Sequence, residues 1–374
     1  MAIYLDYAAT APLRPEVKTL VRELMERGLG NPSSLHRQGR AARMVLEQAR
    51  EDCARHLGAQ VEEIVFTSGA TEANALALGG TMRLGPSGAH LLYSAVEHPA
   101  VRDYAASLEG LGYVVEAIPV DRQGRVDPDQ VAALLKPETV LVSVMAANNE
   151  VGTRQPISEL AAVCHEHGTL LHVDAVQEPL KASCGADLMT LSGHKLGGVP
   201  AGCLYLRQGL RVAPMLIGGA QEDSRRAGTP NLIAAASLAL VLGLRSQPEQ
   251  ARIARLRQQL ESRLSGLAGG HLLGGGTDRA DHISAWIFEE VPAEPMLARL
   301  DLSGLAASSG SACSSHSIEP SKVLLSMGYS DVQASGLIRF SPGWATTSHE
   351  IDEAARLVEQ AVEQVRLGRK GRVA

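Results

Sequence analysis

Lys195 and Asp174 are the two side chains whose types and positions point most directly to chemistry. Lys195 follows a predicted strand and is flanked by glycines in the stretch LSGHKLGG. Burying an ammonium is costly, and the usual escape is a lowered pKa that makes lysine a nucleophile or a Schiff-base former, although a surface-turn lysine is the alternative. Asp174 ends the apolar stretch TLLHVDAVQ, where no clear helix follows. A buried carboxylate there needs a cation or strong donors to stay charged.

Two further polar residues follow predicted strands. In GATEANALAL, Gly69 and Ala70 allow a tight turn and Thr71 opens a helix. Helix N-terminal N–H groups with a hydroxyl suit a phosphate, although threonine is also an ordinary N-cap. His98 follows the stretch HLLYSAV and offers a ring at the end of that strand, with a purely structural histidine as the alternative.

Together, these four residues indicate a function more strongly than any one of them alone. A Schiff-base lysine, a carboxylate for a protonated ring nitrogen, a phosphate cradle and a stacking ring are the parts that a pyridoxal phosphate site requires. Lys195, Asp174, Thr71 and His98 supply them at successive strand ends. Ligands of open α/β sheets bind beyond the carboxyl ends of the strands, so we expect the four residues to converge.

The elements that must position them follow an alternating pattern of strands and helices. Most of the strand candidates are continuous apolar runs, which is typical of strands covered on both faces. The seven candidates are 63–68, 90–96, 113–120, 139–147, 169–176, 188–193 and 203–208. The pattern predicts an α/β fold with a mostly parallel seven-stranded sheet flanked by helices.

A second, smaller α+β domain is predicted after the charged helix that starts at 246–250. It holds the strands 283–291 and 336–343 and a final helix from Ser348. We expect the large domain to span 15–250 and the small domain to combine 1–14 with 251–374. Earlier in the chain, helices are expected over 15–28 and in a long stretch that ends at Leu57, before Gly58.

Composition excludes several classes of protein. The chain has 374 residues, 45% of them hydrophobic, and a net charge of −6 with scattered basic residues, so nucleic acid is not expected as the main ligand. The longest apolar run, Leu232–Leu244, is shorter than the ~18 residues that suggest a membrane span. The N-terminus lacks the features of a signal peptide. We therefore predict a cytoplasmic protein that binds neither nucleic acid nor membrane.

The cysteines support a reduced protein, and one of them is unusual. Five cysteines form no CxxC pair, so neither a disulfide framework nor a zinc site is predicted. Cys313 stands in SSGSACSSHSIEPS, a stretch with no hydrophobic periodicity. A buried structural cysteine prefers apolar neighbours, so this setting calls for another explanation.

Two other positions carry alternatives. Thr229 and Pro230, in RRAGTPN, are expected to form the N-cap and first residue of the apolar helix that follows, with phosphate contact as the other interpretation of Thr229. Arg339 lies in the predicted strand GLIRF, where a buried guanidinium suits bidentate carboxylate binding or a structural salt bridge.

Ten short segments follow one another along the chain from residue 3 to about residue 360: YLDYAATAP, NPSSLHRQGR, FTSGATEANALAL, EHPAV, NNEVGTRQPI, HVDAVQ, SGHK, RAGT, SSGSAC and IRFS. Taken in this order, they resemble the motif set of cysteine desulfurases, in the class V aminotransferase group of fold type I pyridoxal phosphate enzymes. The SSGSAC form resembles the subgroup with a long, mobile cysteine loop.

The resemblance implies a role for each residue in these motifs. Lys195 would bind pyridoxal 5'-phosphate covalently and move protons, Asp174 would pair with the ring nitrogen and His98 would stack on the ring. The remaining cofactor contacts would come from Asn149, from Gln177 at the phenolic oxygen, and, at the phosphate, from Ala70, Thr71, Ser192, His194 and the Thr229 of a second subunit of a homodimer. Asn31 and Arg339 would bind the substrate carboxylate.

The resemblance also implies the reaction. L-cysteine would be converted to L-alanine, and Cys313 would take the sulfur as a persulfide. Sulfur-acceptor proteins, either scaffolds or thiolation enzymes, would receive it for iron–sulfur cluster assembly and tRNA thiolation. The resemblance leaves open whether Cys313 also ligates iron or a cluster transiently during delivery; no other metal site is expected.

Two positions depart from the family pattern, and other functions stay open. Asp223 stands where arginine is common, and His316 stands where a small residue is usual. His316 either lowers the Cys313 pKa or is an exposed loop residue. The rival functions are a selenocysteine lyase, a cysteine sulfinate desulfinase and, in another class, a non-catalytic sulfur-relay scaffold. A Cys313 variant separates the first two from a desulfurase, and visible cofactor absorbance separates an enzyme from a scaffold.

Overall fold

A computed structural model describes residues 2–310 and 319–373. Its strands are β1 Ile3–Tyr4, β2 Ile64–Thr67, β3 His90–Ser94, β4 Val114–Ile118, β5 Thr139–Ser143, β6 Leu170–Asp174, β7 Leu188–Ser192, β8 Gly202–Leu206, β9 Gly270–Leu272, β10 Ser284–Phe288, β11 Leu305–Ala306 and β12 Leu337–Phe340. Its helices are α1 Pro15–Glu26, α2 Arg37–Leu57, α3 Ala70–Met82, α4 Pro99–Glu109, α5 Pro128–Leu134, α6 Ile157–Glu166, α7 Leu232–Leu244, α8 Gln247–Leu264, α9 Ala293–Leu302, α10 Lys322–Ser326, α11 Asp331–Ala334 and α12 Ser348–Val373. None of these helices is long and apolar enough to cross a membrane.

The largest sheet has seven strands in the order β2-β8-β7-β6-β5-β3-β4. Pairing is parallel from β7 through β6, β5 and β3 to β4, and β8 is antiparallel to both of its neighbours. Each of the seven predicted strands is present, and the prediction of a mostly parallel sheet is confirmed. The observed strands end one to four residues before the predicted ends, where the chain turns into the loops described below.

Two apolar cores cover the two faces of this sheet. Because successive side chains of a strand point to opposite faces, Ile64 and Phe66 pack into one core and Val65 into the other. The first core is completed by α2, α6 and α7, and the second by α3 and α4. Burial on both faces explains why the strand sequences are continuous apolar runs.

A second sheet, in the order β12-β10-β9, is antiparallel and is covered by α8, α9 and α12. The N-terminal strand β1 pairs with β11. Ile3 and Leu5 therefore share a core with residues from Leu256 onward. The proposed domain limits of 15–250, with 1–14 joined to 251–374, stay a prediction.

Helix ends follow local chemistry, with one error in the sequence prediction. α2 ends at Leu57, and Gly58 follows it with a φ of +69°, as the glycine signal predicted. α7 is capped by Asn231, whose Oδ1 accepts the Ala234 N–H at 3.0 Å. The prediction of Thr229 and Pro230 as its cap was wrong, because asparagine is an equally good cap and stands two residues closer to the helix.

The segment before α7 is held by a buried ion pair. The guanidinium of Arg50 contacts both carboxylate oxygens of Glu222, at 2.8 and 2.7 Å, and the Phe66 N–H donates to the same carboxylate at 2.9 Å. Glu222, Asp223 and Ser224 have φ values of 48°, 54° and 63°, a left-handed conformation that non-glycine residues adopt at a cost. The ion pair therefore fixes an unfavourable backbone that leads toward Thr229.

Candidate active site

A cavity of ≈ 640 Å³ lies at the carboxyl ends of β2, β3, β5, β6 and β7. Ten of the residues predicted from the sequence line it: Ala70, Thr71, His98, Asn149, Asp174, Gln177, Ser192, His194, Lys195 and Arg339. The strand-end argument therefore brings together side chains that are far apart in the chain.

Lys195 lies in the short turn that follows β7. Its Nζ donates to the backbone carbonyls of Ala8 and Ala9, at 2.8 and 2.6 Å. Gly197 follows it with a φ of +90°, a conformation that a side chain would disfavour. The N-terminal segment thus forms one wall of the cavity and aims the lysine amine into it, which a surface-turn lysine would not require.

Asp174 ends β6 and is only 5% exposed. The Asn74 amide donates to its Oδ2 at 2.8 Å, and the Val176 N–H donates to its Oδ1 at 3.1 Å. Burial raises the pKa of Asp174, while these two hydrogen bonds and the charges of His98 and Lys195 act in the opposite direction. A cation beside this carboxylate would favour its charged form further.

His98 is both a helix cap and a cavity residue. Its Nδ1 accepts the Ala100 N–H at 3.1 Å at the start of α4. Burial lowers the pKa of His98, which favours the neutral ring, and the N–H that Nδ1 accepts leaves the ring proton on Nε2. The structural interpretation of this histidine is therefore correct, yet the same ring lines the cavity. Its predicted stacking on a cofactor ring stays a prediction.

The first turn of α3 and the end of β7 form a polar corner of the cavity. Gly69 precedes the helix, and no side chain caps it. Gly202 lets β8 approach this turn, because a Cβ there would lie 2.3 Å from the Gly69 carbonyl carbon. Ser192 Oγ is buried and has no hydrogen-bond partner among residues 2–310 and 319–373. Free N–H groups and an unpartnered hydroxyl are the donors that a phosphate binds.

His194 flanks this corner. Its Nδ1 lies 3.1 Å from Thr10 Oγ1, and burial together with the charge of Lys195 lowers the pKa of His194 to about 4. A neutral imidazole can still donate one hydrogen bond to an anion. Its contact with phosphate stays a prediction.

Asn149 and Gln177 line the wall beside the lysine. Gln177 Nε2 donates to the Ala8 carbonyl at 3.0 Å, and its Oε1 lies 3.0 Å from His282 Nε2. Asn149 Oδ1 is buried with no partner in the described part of the chain. Gln177 thus keeps one N–H for a ligand, and Asn149 keeps an acceptor.

Arg339 reaches the cavity from β12 and is 2% exposed. Its Nη2 donates to Asp6 Oδ1 at 2.9 Å and its Nη1 to the Asn149 carbonyl at 2.7 Å. Its Nε has no partner within the described residues. The salt bridge that the sequence left open is present, and the predicted contact with a substrate carboxylate stays a prediction.

Asn31 and Thr229 do not line this cavity. Both are exposed, and their neighbours Pro32, Ser33 and Pro230 line a second cavity of ≈ 490 Å³. The predictions that Asn31 binds substrate and that Thr229 reaches the phosphate of a second subunit stay predictions. Nearby, Asp223, which stands where the family commonly has arginine, forms a surface ion pair with Arg225 at 2.9 Å.

Cys313 and His316 lie outside the described residues. The cavity is lined by residues on both sides of this segment: Gly310 before it, and Glu319 and Pro320 after it. Within residues 2–310 and 319–373, no cluster of three or more histidine, cysteine, aspartate or glutamate side chains could hold a metal ion.

The cavity side chains that sequence reasoning missed include Asn74, Glu97 and Glu150. Asn74 stands one turn into α3, four residues after Ala70, and that spacing could have indicated that it faces the same site. Glu97 and Glu150 are buried and adjoin residues already singled out in EHPAV and NNEVG. A glutamate directly beside a predicted site residue was the available signal.

The family model for class-V aminotransferases matches residues 3–354. The chain belongs to the class-V aminotransferase family. It is 39% identical to a cysteine desulfurase IscS of Dictyoglomus turgidum, over 97% of this chain and 95% of that protein. It is 37% identical to a cysteine desulfurase NifS of Azotobacter vinelandii, over 97% and 93% of the two chains. These similarities place this family member with the cysteine desulfurases.

Comparison with solved structures gives the same result. A NifS-like protein superposes with a TM-score of 0.89 at 29% identity, over 97% of this chain and all of that chain. A structure titled SspA in complex with cysteine superposes with a TM-score of 0.82 at 29% identity, over 92% and 99%. The chain is therefore an enzyme that depends on pyridoxal phosphate, and the scaffold alternative is not supported.

The residues of the cavity fit this cofactor. The unpartnered Ser192 hydroxyl and the α3 N-terminus suit its phosphate, and the buried carboxylate of Asp174 suits a cationic ring nitrogen. The amine of Lys195 faces the same space. The phosphate, the ring nitrogen and the carbonyl of the cofactor therefore each have a complementary group on this chain.

Proposed function

We propose that this cysteine desulfurase takes sulfur from L-cysteine onto Cys313 as a persulfide, releases L-alanine and passes the sulfur to an acceptor protein. One observation carries the proposal. The residues that flank the Cys313 segment line the same cavity as Lys195, Asp174 and His98. A thiol on a short segment between them belongs beside the reacting substrate.

The side chains divide the work by position. Pyridoxal phosphate, when bound, supplies a carbonyl that condenses with amines and a cationic ring that withdraws electrons from the substrate. Lys195 would hold the cofactor covalently, and its amine would move protons at the substrate Cα. Asp174 keeps the ring nitrogen protonated by offering the opposite charge in a buried setting. Arg339 is the cation that we propose for the substrate carboxylate.

Cys313 carries out the sulfur transfer. Its thiolate forms an S–S bond to the sulfur of L-cysteine as the Cβ–S bond of the substrate breaks. The electron pair of the broken bond stays with the substrate carbon, and Cβ then takes a proton to give L-alanine. The net change converts L-cysteine and the Cys313 thiol into L-alanine and a Cys313 persulfide, so atoms and electrons balance without an added oxidant.

A Cys313→Ala variant tests this role. We expect its alanine production from L-cysteine to fall at least about 100-fold, because the nucleophile is removed. Cys184→Ala is the matched control, since Cys184 is the one described cysteine that is not fully buried. Alanine release by Cys313→Ala at the wild-type rate would contradict the proposal. If Cys313→Ala loses turnover of L-cysteine but keeps turnover of selenocysteine or cysteine sulfinate, Cys313 acts in the sulfur transfer and not in the other steps of the reaction.

We also propose a homodimer in which the surface around Asn31 and Thr229 meets a second subunit. Leu35 and Ile217 are 83% and 86% exposed on the segments that lead to these residues. Large exposed apolar side chains favour an interface. Sedimentation velocity should give a dimer for the wild type and a weakened dimer for Ile217→Glu. A monomeric wild type at micromolar concentration would contradict the proposal.

The acceptors and the compartment are part of the same proposal. We propose that the persulfide serves iron–sulfur cluster assembly and tRNA thiolation in the cytoplasm. The four described cysteines are unpaired thiols, and three of them are buried, which suits a reducing compartment. Capture of proteins that receive labelled sulfur from the enzyme tests the acceptors, and cell fractionation tests the compartment.

A further inference from the structure

One buried carboxylate contacts both described ends of the segment that carries Cys313. The Ser321 hydroxyl donates to Glu150 Oε2. On the other side of the segment, a Cβ added to Gly310 would lie 2.3 Å from the same oxygen, so the Gly310 backbone packs directly on the carboxylate. Glu150 is 7% exposed and Ser321 is 2% exposed. The two ends of residues 311–320 therefore meet at one oxygen atom.

The neighbouring chain holds these three residues in place. Glu150 lies in the turn after β5, where its N–H donates to Asn148 Oδ1 at 2.8 Å. Ser321 caps α10 by accepting the Leu324 N–H at 3.1 Å, and its own N–H donates to the Ala334 carbonyl at 3.2 Å. Glu150 thus connects the large sheet to the start of α10.

The other end is fixed by backbone pairing. Ser308 and Arg339 exchange two backbone hydrogen bonds, at 3.1 and 2.6 Å, so the chain leaves the edge of β12 just before Gly310. Gly310 also packs on Leu337, since an added Cβ would lie 2.5 Å from its Cδ2. Any side chain at Gly310 would have to displace the carboxylate or this leucine.

We propose that Glu150 is a positioning residue that holds the two ends of the Cys313 segment together beside the cavity. This inference rests on the proposed role of Cys313 and deepens it. Three residues of chain span at most about 11 Å, so an anchor at Gly310 limits the positions open to the Cys313 thiol. Closing the ten-residue segment 311–320 has an entropic cost, which a bond between its ends reduces.

A direct chemical role for Glu150 is the competing explanation, and its bonding argues against it. Oε2 is engaged by Ser321 and covered by Gly310. Burial raises the pKa of Glu150, whereas the Ser321 hydrogen bond and the charge of Arg339 lower it. The anchor needs a side chain as long as glutamate that ends in an acceptor oxygen, and glutamine is such a side chain.

Steady-state kinetics of the cofactor-loaded enzyme test the proposal. We expect Glu150→Ala to lower kcat for alanine release from L-cysteine by about tenfold or more and to leave KM within about twofold, because binding is kept and thiol delivery is impaired. Glu150→Gln should restore kcat to within about threefold of wild type. Ser321→Ala should lower kcat by about three- to tenfold. Ser326→Ala, on the exposed side of α10, is the matched control and should match wild type.

Hydrogen exchange gives a readout that does not depend on turnover. In Glu150→Ala without cofactor, the amides of 319–325 should exchange about tenfold faster, while those of β6 and β7 are unchanged. Faster exchange throughout the protein would indicate a general folding defect and would overturn the proposal. If Glu150→Ala is too unstable to purify, Gly310→Ala tests the same contact from the other side, with the same expected kcat loss.

The two hypotheses fail in different ways. Wild-type kcat in Glu150→Ala, with Cys313→Ala inactive, would overturn the anchor and leave the persulfide role intact. A lower kcat and a higher KM, by the same factors in Glu150→Ala and Glu150→Gln, would indicate a substrate contact and would also overturn the anchor. Full activity of Cys313→Ala would overturn the proposed function itself.

Discussion

Replacing Lys195 with alanine is expected to abolish alanine release from L-cysteine and the absorbance at about 400–430 nm that a lysine-bound cofactor gives. The activity should fall at least about 10³-fold, because one amine both attaches the cofactor and moves the protons. Its Nζ is held between the Ala8 and Ala9 carbonyls and points into the cavity. Among the described residues that line the cavity, Lys322 is the one other lysine.

Lys181→Ala is the control for this experiment. Lys181 is exposed and its Nζ donates to the His56 carbonyl, so its loss should leave both the spectrum and the activity unchanged. Borohydride reduction of the wild type, followed by peptide mass spectrometry, should place the cofactor on Lys195. A cofactor fixed to another lysine, or wild-type absorbance and activity in Lys195→Ala, would contradict the account.

The second large effect is expected at Asp174. Asp174→Asn keeps the size of the side chain and removes its charge, so the ring nitrogen loses the anion that holds its proton. We expect the variant to bind the cofactor and to lose at least about 100-fold in kcat. Thermal stability without cofactor should not fall, because the substitution removes a buried charge to which two donors, from Asn74 and Val176, hydrogen-bond within residues 2–310 and 319–373.

Asp187→Asn is a matched control because Asp187 is also a buried carboxylate of the large sheet. It precedes β7 at the opposite edge, where it contacts Arg207 at 2.6 Å and accepts the Leu171 N–H at 2.7 Å. We expect this variant to lose stability and to keep kcat, the reverse of Asp174→Asn. The same pattern of losses in both variants would show that Asp174 acts through the fold and not through the cofactor.

Local patterns were enough to predict the large sheet and most of the cavity. Continuous apolar runs mark strands that are buried on both faces, and parallel strands bring the residues at their carboxyl ends to one edge. Lys195, Asp174 and His98 could therefore be predicted to converge without knowledge of the strand order. The order itself, with β8 reversed between β2 and β7, has no local signal.

The contacts that complete the site depend on distant parts of the chain. Asp6 pairs with Arg339, and Asn74 donates to Asp174, across 333 and 100 residues. Glu150 meets Ser321 across 171 residues. No helical or strand period links such pairs, so the sequence indicates each residue type without its partner. For the same reason, the sequence could not decide whether Arg339 forms a salt bridge or contacts a ligand.

The central claim is that Cys313 receives the sulfur of L-cysteine, and mass spectrometry tests it directly. The enzyme is incubated with L-cysteine in the absence of reductant, alkylated and digested with trypsin, which releases Cys313 as the single cysteine of the peptide 300–322. We expect this peptide to gain the mass of one sulfur atom, with one alanine formed per modified site, and the Cys184 peptide to remain unmodified. Alanine formed while Cys313 stays unmodified, or sulfur found on Cys184 instead, would contradict the account.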